Sequence, residues 1–218
     1  MDLKNKIIAH RGFYNSLIPE NSMSSFKKCL YQNIPIELDV HLTKDKKVVV
    51  FHDFNLKKMT GLDREIEDLT YDEIKTLKLK GTKETIPLLS EVLDLIHNKV
   101  TIIIELKNKK IGPLENALIK LLDCYENFYL QTFLMRSIYY IKAKRPMYKI
   151  GIVLFTYRHI NYKKVDFICC SKLGITGSKI QKLKKKKTLL IWVIDSKKEL
   201  EKMRKYGDAY IVNIKKII

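Results

Sequence analysis

Regular alternation of strand-like apolar runs with helix-like segments most constrains how this chain can fold. From Lys99 to the carboxyl terminus, each apolar run is followed by a segment of helical periodicity or by a short connection. Such alternation predicts a parallel sheet covered by helices, because parallel neighbours need a long crossover connection. We predict nine strands, at residues 6–10, 36–40, 48–51, 99–107, 127–133, 148–155, 165–170, 188–194 and 209–213.

These strands favour an α/β fold, a slightly irregular (β/α)8 TIM barrel with a hairpin-connected strand after the second strand. An open doubly wound sheet is the alternative. That fold normally has a glycine-rich turn after its first strand, whereas this chain has His10-Arg11-Gly12. The length of 218 residues and the hydrophobic fraction of 46% suit one domain over residues 1–218 with a sizeable core.

Capping signals locate the helices between the strands. Asn21 or Ser22 is predicted to cap the first helix, and Thr70 is predicted to open a short helix that reaches about Lys78. Pro87 is predicted to be the first residue of the next helix, because proline suits that position. The first helix is predicted at about 23–32, and further helices are predicted at about 113–124, 135–144, 177–186 and 197–206.

Residues 34–53 contain two apolar runs around a short polar turn. Glu37 and Asp39 alternate with apolar residues along the first run, so they share one face of the strand. A short hairpin would pair residues whose numbers sum to about 89, which sets Glu37 opposite His52. We therefore expect carboxylates and an imidazole to meet here. The alternative is an acidic face that is simply solvated. His41 shares the face of Asp39 but is expected to lie above the barrel.

Barrel architecture would bring polar residues from three strands together, because functional groups gather at the carboxyl ends of the strands. The three carboxylates of this set form an all-oxygen ligand group, which favours Mg²⁺ or Ca²⁺ over Zn²⁺. Two cationic side chains suit a phosphate group, and two imidazoles can divide proton transfer. The set predicts metal-dependent cleavage of a phosphodiester by His10, Arg11, Glu37, Asp39, His52, Glu105 and Lys107.

The formal charge of +18 comes mainly from lysine, since only six of the 42 basic residues are arginine. Nucleic-acid-binding domains more often combine arginine with interleaved aromatic residues in a recognisable module, so no nucleic-acid partner is predicted. The charge fits a small anionic substrate and weak association with an anionic membrane surface. Lys184–Lys187 precedes a strand, so it is expected on the opposite, amino-terminal face as a solvated helix end or a weak lipid contact.

Cysteine usage and the amino-terminal sequence favour a cytoplasmic location. Cys29, Cys124, Cys169 and Cys170 show neither a CxxC motif nor Cys/His ligand spacing, so buried reduced thiols are predicted. No apolar run approaches the roughly 20 residues that span a bilayer. The basic start is followed only by the short apolar run at 7–9, which is not the apolar core of a secretory signal.

Several short motifs, in order and at fitting spacings, strongly resemble the glycerophosphodiester phosphodiesterase family. The resemblance covers about residues 6–107 and continues more weakly to the end of the chain. The resemblance is specific because several motifs of the family occur here in the same order, whereas a His-Arg-Gly motif alone would be a weak signal. The motifs are His10-Arg11-Gly12, Pro19-Glu20-Asn21-Ser22, Glu37-Leu38-Asp39-Val40, Leu42-Thr43-Lys44-Asp45, Val50-Phe51-His52-Asp53 and Glu105-Leu106-Lys107.

The resemblance implies a barrel enzyme that uses one divalent cation to hydrolyse glycerophosphodiesters to sn-glycerol 3-phosphate and an alcohol. By position it implies metal binding by Glu37, Asp39 and Glu105, acid–base catalysis by His10 and His52, and substrate or phosphate binding by Arg11, Lys107 and Trp192. Trp192 could instead pack in the core. Lysophospholipid or polyglycerol-phosphate substrates, and a non-catalytic barrel that binds anionic lipid or protein, stay open as alternatives.

Three segments depart from the pattern that the family usually shows. The family has asparagine three residues after its tryptophan, Thr-Asp-x-Pro after its last strand and often Ser-Phe after its fifth strand. This chain has Asp195, Val212-Asn213-Ile214-Lys215 and Thr132-Phe133 at those places. These differences are expected to affect the substrate rim, and so the head group, more than the central chemistry.

Overall fold

A computed structural model describes residues 3–217, which form a closed eight-stranded parallel barrel with one additional antiparallel strand. β1 pairs with both β2 and β9, and these two pairings close the barrel. β3 pairs antiparallel with the upper half of β2, outside the ring. The strands are β1 Ile7–His10, β2 Ile36–Leu42, β3 Val48–Val50, β4 Ile102–Leu106, β5 Phe128–Thr132, β6 Ile150–Leu154, β7 Phe167–Ser171, β8 Thr188–Ile194 and β9 Ala209–Val212.

The helices follow the strands and cover the outside of the barrel. The β6–β7 connection contains a 3₁₀ turn, Tyr162–Lys164, in place of an α-helix. Of the helices in the described part of the chain, none has the length and apolar character needed to traverse a bilayer. The α-helices are α1 Met23–Tyr31, α2 Lys57–Thr60, α3 Tyr71–Ile74, α4 Leu89–Ile96, α5 Pro113–Leu122, α6 Met135–Lys144, α7 Ser178–Lys184 and α8 Lys197–Met203.

The predicted (β/α)8 barrel with its extra hairpin strand is confirmed, and the open sheet is wrong. Ser22, rather than Asn21, caps α1 by accepting a hydrogen bond from the backbone of Ser25. Thr70 caps α3 as predicted, but that helix ends at Ile74 rather than near Lys78.

Pro87 does not begin a helix, which corrects the prediction. Its carbonyl oxygen accepts a hydrogen bond from Val50 N at 2.9 Å, and Leu88 forms an antiparallel bridge with Val49. The helix begins two residues later, at Leu89. Proline suits this extended edge position because it offers a carbonyl acceptor and needs no N–H partner there.

The register of the β2–β3 hairpin differs by one residue from the predicted register. Val40 pairs with Val50 and Leu42 pairs with Val48, so partner numbers sum to 90 rather than 89. Thr43 N donates to Lys47 O across a three-residue loop, and Lys46 has the left-handed backbone conformation typical of such loops. The pairing ends at Val50, so Glu37 and His52 are not cross-strand partners.

Two apolar layers stabilise the barrel. Side chains from alternate strand positions, such as Ile8, Ile103 and Phe167, pack inside it, and the intervening positions pack against the helices. The cysteines are free thiols, as predicted, and three of them are buried. Cys124 is exposed, because it lies just beyond the end of α5; its predicted burial is wrong.

The run Lys184–Lys187 is not simply a solvated helix end, because two of its lysine side chains donate hydrogen bonds to backbone carbonyl groups. Lys184 Nζ donates to the carbonyl oxygens of Lys205 and Gly207, and Lys187 Nζ donates to Val165 O at 2.5 Å. These lysines line a cavity of about 300 Å³ together with the carboxylate of Asp208. The run therefore helps to join the connections on the amino-terminal face of the barrel.

The turn after β1 depends on Gly12. Arg11 and Gly12 have φ angles of 56° and 79°, so the chain reverses sharply towards α1. A Cβ atom on Gly12 would lie 2.4 Å from Ser25 Oγ and 2.9 Å from Ser25 Cβ. Glycine is therefore required here both by the backbone conformation and by the close approach of α1.

We expect Gly12→Ala to lower the free energy of unfolding more than Gly61→Ala does. Gly61 has a similar φ of 84°, but no atom lies within 4 Å of the added Cβ, so this control carries only the conformational cost of about 1–2 kcal/mol. The contact with Ser25 should add about 1–3 kcal/mol. Urea unfolding of both variants measures the difference, and equal losses would contradict the packing argument.

Candidate active site

Three buried carboxylates lie together inside the barrel on two adjacent strands, and Glu37 is level with His10 at the carboxyl end of β1. Glu37 and Asp39 point inward from β2, and Glu105 lies beside Asp39 in the parallel register of β4. One oxygen from each group lies within 4.8 Å of the other two. Alternation along β2 explains the arrangement, because the intervening residues Ile36 and Leu38 pack in the outer layer.

Two cationic side chains contact this acidic cluster. Lys107 Nζ lies 2.5 Å from Glu105 Oε1 and 3.3 Å from Asp39 Oδ1. Arg11 Nε lies 3.4 Å from Asp39 Oδ2, and the Arg11 backbone N–H donates to Glu37 Oε2 at 3.2 Å. The left-handed conformation of Arg11 turns its N–H group into the barrel. Three carboxylates thus face two positive charges, which leaves an excess of one negative charge.

The pKa values record this imbalance. Burial and the charges of Asp39 and Glu105 raise the pKa of Glu37 well above its ordinary value. Burial and Asp39 also raise the pKa of Glu105, against the opposing effect of Lys107. Burial would raise the pKa of Asp39 as well, but Lys107 and Arg11 outweigh it and lower that pKa to about 2. In the absence of another cation, protons on the glutamates relieve the repulsion.

The cluster fits a divalent cation. Its donors are buried carboxylate oxygens, which hard ions such as Mg²⁺ and Ca²⁺ prefer, and they lie close enough to share one ion. The raised pKa of Glu37 is itself a sign of uncompensated negative charge. Neighbouring amides hold two of the carboxylates in place: Asn21 Nδ2 donates to Asp39 at 3.0 Å, and Gln131 Nε2 donates to Glu105 at 2.9 Å.

His10 is held by Asn213, which follows β9. His10 Nδ1 donates to Asn213 Oδ1 at 3.0 Å, and the hydroxyl of Tyr14 donates to the same oxygen at 2.7 Å. Asn213 Nδ2 in turn donates to Asp195 Oδ1 at 2.5 Å. Because a carboxylate only accepts, Asp195 fixes which end of the amide faces His10. Asn213 was expected to affect the substrate rim more than the central chemistry, and its contact with the His10 imidazole corrects this expectation.

Two lysines hold Asp195 in turn. Lys172 Nζ lies 3.0 Å from Asp195 Oδ2, and Lys216 Nζ lies 3.1 Å from Asp195 Oδ1. Lys172 also contacts Glu199 of α8 at 3.0 Å. Burial would raise the pKa of Asp195, but Lys172, Lys216 and Asn213 lower it to about 2. Asp195 is consequently ionised across the neutral pH range.

His52 lies in the loop just beyond β3 and reaches the site without a ladder pairing. Its Nδ1 donates to Asp53 Oδ1 at 2.5 Å, and its protonated form, like that of His10, would interact with the charge of Asp39. Buried His41 supports this loop, because its Nε2 donates to the carbonyl oxygen of His52 at 3.2 Å. His41 thus lies beneath the loop as a support rather than above the barrel.

The two imidazoles differ in their partners. Burial and the charge of Arg11 lower the pKa of His10 to about 4, so this ring is neutral at pH 7. Burial also lowers the pKa of His52, but the carboxylates of Asp39 and Asp53 oppose the shift. His10 has a neutral amide on Nδ1, whereas His52 has a carboxylate, so His52 is better placed to hold a proton.

Further residues of the site were missed or left undecided by the sequence analysis. Gln131 is the second-last residue of β5 and lies in register with Glu105, a pattern that could have been recognised. Glu20 was undecided, and it accepts a hydrogen bond from Arg11 at 2.6 Å. Asn213 and Asp195 were recognised only as separate departures from the family pattern, because their contact joins the ends of two different strands.

Trp192 lies at the mouth of the barrel rather than among the charged groups. Its ring contacts Phe155 and Phe133 edge-on, with centroid distances of 5.1 Å and 6.1 Å. The half-buried indole therefore packs in an aromatic cluster against the inner apolar layer of the barrel, and its Nε1 atom is buried.

Comparison with known sequences places these residues in one family. Residues 10–209 match the model of the glycerophosphoryl diester phosphodiesterase family. The chain belongs to this family. A glycerophosphodiester phosphodiesterase of Caldanaerobacter subterraneus subsp. tengcongensis is 31% identical over an alignment of 228 positions, which covers 94% of this chain and 92% of that protein. The suspected family resemblance is confirmed, and the chain is a member of a family of phosphoric diester hydrolases.

Solved structures agree with the fold. A putative glycerophosphodiester phosphodiesterase from Galdieria sulphuraria is 25% identical, with a TM-score of 0.83 over 96% of this chain and 94% of that chain. An Oleispira antarctica phosphodiesterase, solved with its product sn-glycerol-3-phosphate, is 23% identical, with a TM-score of 0.87 over 96% and 93%. This chain therefore has the same barrel fold as these proteins.

We expect Mg²⁺ or Ca²⁺ to raise the melting temperature more at pH 8 than at pH 5. The pKa of Glu37 is raised, so without a cation stability falls as pH rises through that pKa. Cation binding requires the ionised carboxylate and so strengthens over the same range. Occupancy at a hundred times the Kd would add about 2.7 kcal/mol. Thermal melts at both pH values measure this difference.

Glu37→Gln separates this effect from general ion binding. We expect this variant to melt above the wild type without added cation and to lose the response to the cation. Exposed Glu126 provides the control, and Glu126→Gln should keep the full response. A cation response that is equal at the two pH values, or that survives in Glu37→Gln, would contradict the assignment of the acidic cluster.

Proposed function

We propose that this chain hydrolyses glycerophosphodiesters to sn-glycerol 3-phosphate and an alcohol. The observation that carries the proposal is the buried acidic cluster of Glu37, Asp39 and Glu105 with two cations and two imidazoles around it. Family membership supports the same reaction. We also propose that residues 1–218 act as one domain in the cytoplasm, which the free thiols of the chain support.

Positive charge around the phosphate is the first requirement of the reaction, because negative charge grows on its oxygens in the transition state. We assign metal binding to Glu37, Asp39 and Glu105, and a divalent cation there, Mg²⁺ or Ca²⁺, would act as a Lewis acid beside the phosphate. Arg11 and Lys107 are assigned to the phosphate oxygens. Glu20 keeps the Arg11 guanidinium in place.

His10 is assigned as the general base. Because its Nδ1 proton is bound to Asn213, the neutral ring has its lone pair on Nε2. That nitrogen can take the proton of an attacking water molecule, which gives glycerol 3-phosphate directly, or of the glycerol 2-hydroxyl, by analogy with phosphoinositide-cleaving barrels. Attack by the 2-hydroxyl expels the alcohol and leaves a cyclic phosphate, which a water molecule must then open to give glycerol 3-phosphate. His52 is assigned as the general acid, since Asp53 stabilises its imidazolium while it protonates the leaving alcohol.

Trp192 is assigned to the glycerol end of the substrate. Its half-buried ring lies near the carboxyl end of β8, and Phe155 packs against it. An aromatic face there can pack against the glycerol carbons. The leaving alcohol then lies towards the loops that surround the mouth.

We expect release of glycerol 3-phosphate from glycerophosphocholine, loss of release with a chelator and recovery with Mg²⁺ or Ca²⁺. His10→Ala and His52→Ala should each lower kcat/KM by about 10²-fold or more, because each removes a proton-transfer group. An enzymatic assay for glycerol 3-phosphate measures the product. His159→Ala is the matched control, since His159 is exposed and contacts only the ring of Tyr157.

Two results would contradict the proposal. No turnover of glycerophosphocholine, glycerophosphoethanolamine or glycerophosphoglycerol with either cation would exclude the reaction. Undiminished activity of His10→Ala, with a normal melting curve, would exclude the assigned base.

The Asn213–Asp195 pair predicts a reciprocal rescue. Asn213→Asp should lower kcat by about tenfold or more, because two carboxylates would then face each other and displace His10. The double variant Asn213→Asp with Asp195→Asn restores one donor and one acceptor, so activity should recover. A carboxylate would then contact His10 Nδ1 and raise its pKa, so the acidic limb of the kcat/KM profile should move to higher pH.

The pH profile is the decisive measurement for this pair. A double variant that is no more active than Asn213→Asp would mean that the pair does not orient His10. Recovery without movement of the acidic limb would mean that His10 is not the group that must be unprotonated.

A further inference from the structure

Large apolar side chains are exposed on the loops around the barrel mouth. Leu17, Leu134, Phe155 and Leu173 are 82%, 38%, 62% and 84% exposed. They lie in the loops that follow β1, β5, β6 and β7, so all four surround the face that carries the acidic cluster. We call these four residues the apolar rim. Their position on one face, in four separate loops, makes them a candidate interaction surface.

Three of the four loops of the apolar rim are also basic, whereas the loop of Leu17 contains Glu20. The segments 133–136, 155–158 and 172–179 contain no aspartate or glutamate. They present the exposed cations Arg136, Arg158 and Lys179 beside the apolar side chains. Lysines and arginines near exposed leucine and phenylalanine are the composition that binds the interface of an anionic bilayer, where apolar burial and charge attraction add.

We propose that the apolar rim docks the mouth of the barrel onto an anionic lipid bilayer. Leu17 and Leu173 enter the headgroup region, and the cations beside Leu134 and Phe155 contact lipid phosphates. Phe155 lies 5.1 Å from Trp192, so the docked surface continues to the edge of the catalytic cavity. The active site then opens towards the membrane. This contact lies on the catalytic face, opposite Lys184–Lys187.

A bilayer fits the rim better than other occupants. Side chains that are more than 80% exposed project from the surface, so Leu17 and Leu173 cannot enclose a single acyl chain in a groove. A second copy of this chain would bring its own basic loops and a net charge of +18 against the rim, and like charges repel. An anionic surface offers the complementary charge and an apolar layer together.

The test uses the full chain and vesicles of phosphatidylcholine with or without 30% phosphatidylglycerol. The chain should sediment with the anionic vesicles and not with phosphatidylcholine alone. Leu17→Ser with Leu173→Ser should weaken this binding by about tenfold or more, because two exposed leucines lose their apolar partner. Tyr31→Ser with Met147→Ser is the control, since these apolar residues are 92% and 69% exposed but lie away from the mouth.

Trp192 supplies an independent readout, because it is the one tryptophan of the chain. Its fluorescence should shift to shorter wavelength on anionic vesicles and be quenched by brominated lipid. Turnover of glycerophosphocholine in solution should be the same in both serine pairs, so failed docking is distinguishable from failed catalysis. Equal vesicle binding by the two pairs, unchanged Trp192 emission on bound vesicles, or a dimer that only Leu17→Ser with Leu173→Ser disrupts would overturn the proposal.

Discussion

Electrostatic repulsion among three buried carboxylates is the constraint on which the rest of the site depends. Glu37, Asp39 and Glu105 are brought within 4.8 Å of one another by the parallel register of two strands. Burying such groups is costly unless cations and hydrogen-bond donors compensate them. Arg11 and Lys107 supply two of the positive charges, and the raised pKa of Glu37 shows that compensation is incomplete. The excess negative charge favours a divalent cation, and with that cation bound the cluster would carry a net positive charge that suits an anionic phosphate group.

Proton transfer depends on a different set of contacts. His10 is neutral and faces the amide of Asn213, whereas His52 faces the carboxylate of Asp53. The difference between an amide and a carboxylate gives two identical side chains different affinities for a proton. Asp195 orients the amide, and Lys172 and Lys216 hold Asp195, so the role that we propose for His10 depends on charged residues that do not contact His10 themselves.

Much of this architecture could be predicted from the sequence because strand–helix alternation and inward-facing carboxylates are local patterns. Helix α6 and strand β8 have the predicted bounds. The hairpin register was wrong because a three-residue loop and a two-residue loop differ by one residue that composition does not reveal. Pro87 was wrong because a tertiary contact with Val50 overrode a helix-start signal. Asn213 was misjudged because its partners, His10 and Asp195, are brought to it only by closure of the barrel.

The central claim is that the acidic cluster holds one divalent cation. A crystal of the chain grown with Mn²⁺ and measured at the manganese absorption edge tests it directly, because anomalous scattering locates the ion without reference to the protein density. If the acidic cluster holds the cation, we expect one strong anomalous peak in contact with Glu37, Asp39 and Glu105. A peak only elsewhere, such as at the surface carboxylates Glu65, Glu67 and Asp68, would contradict it.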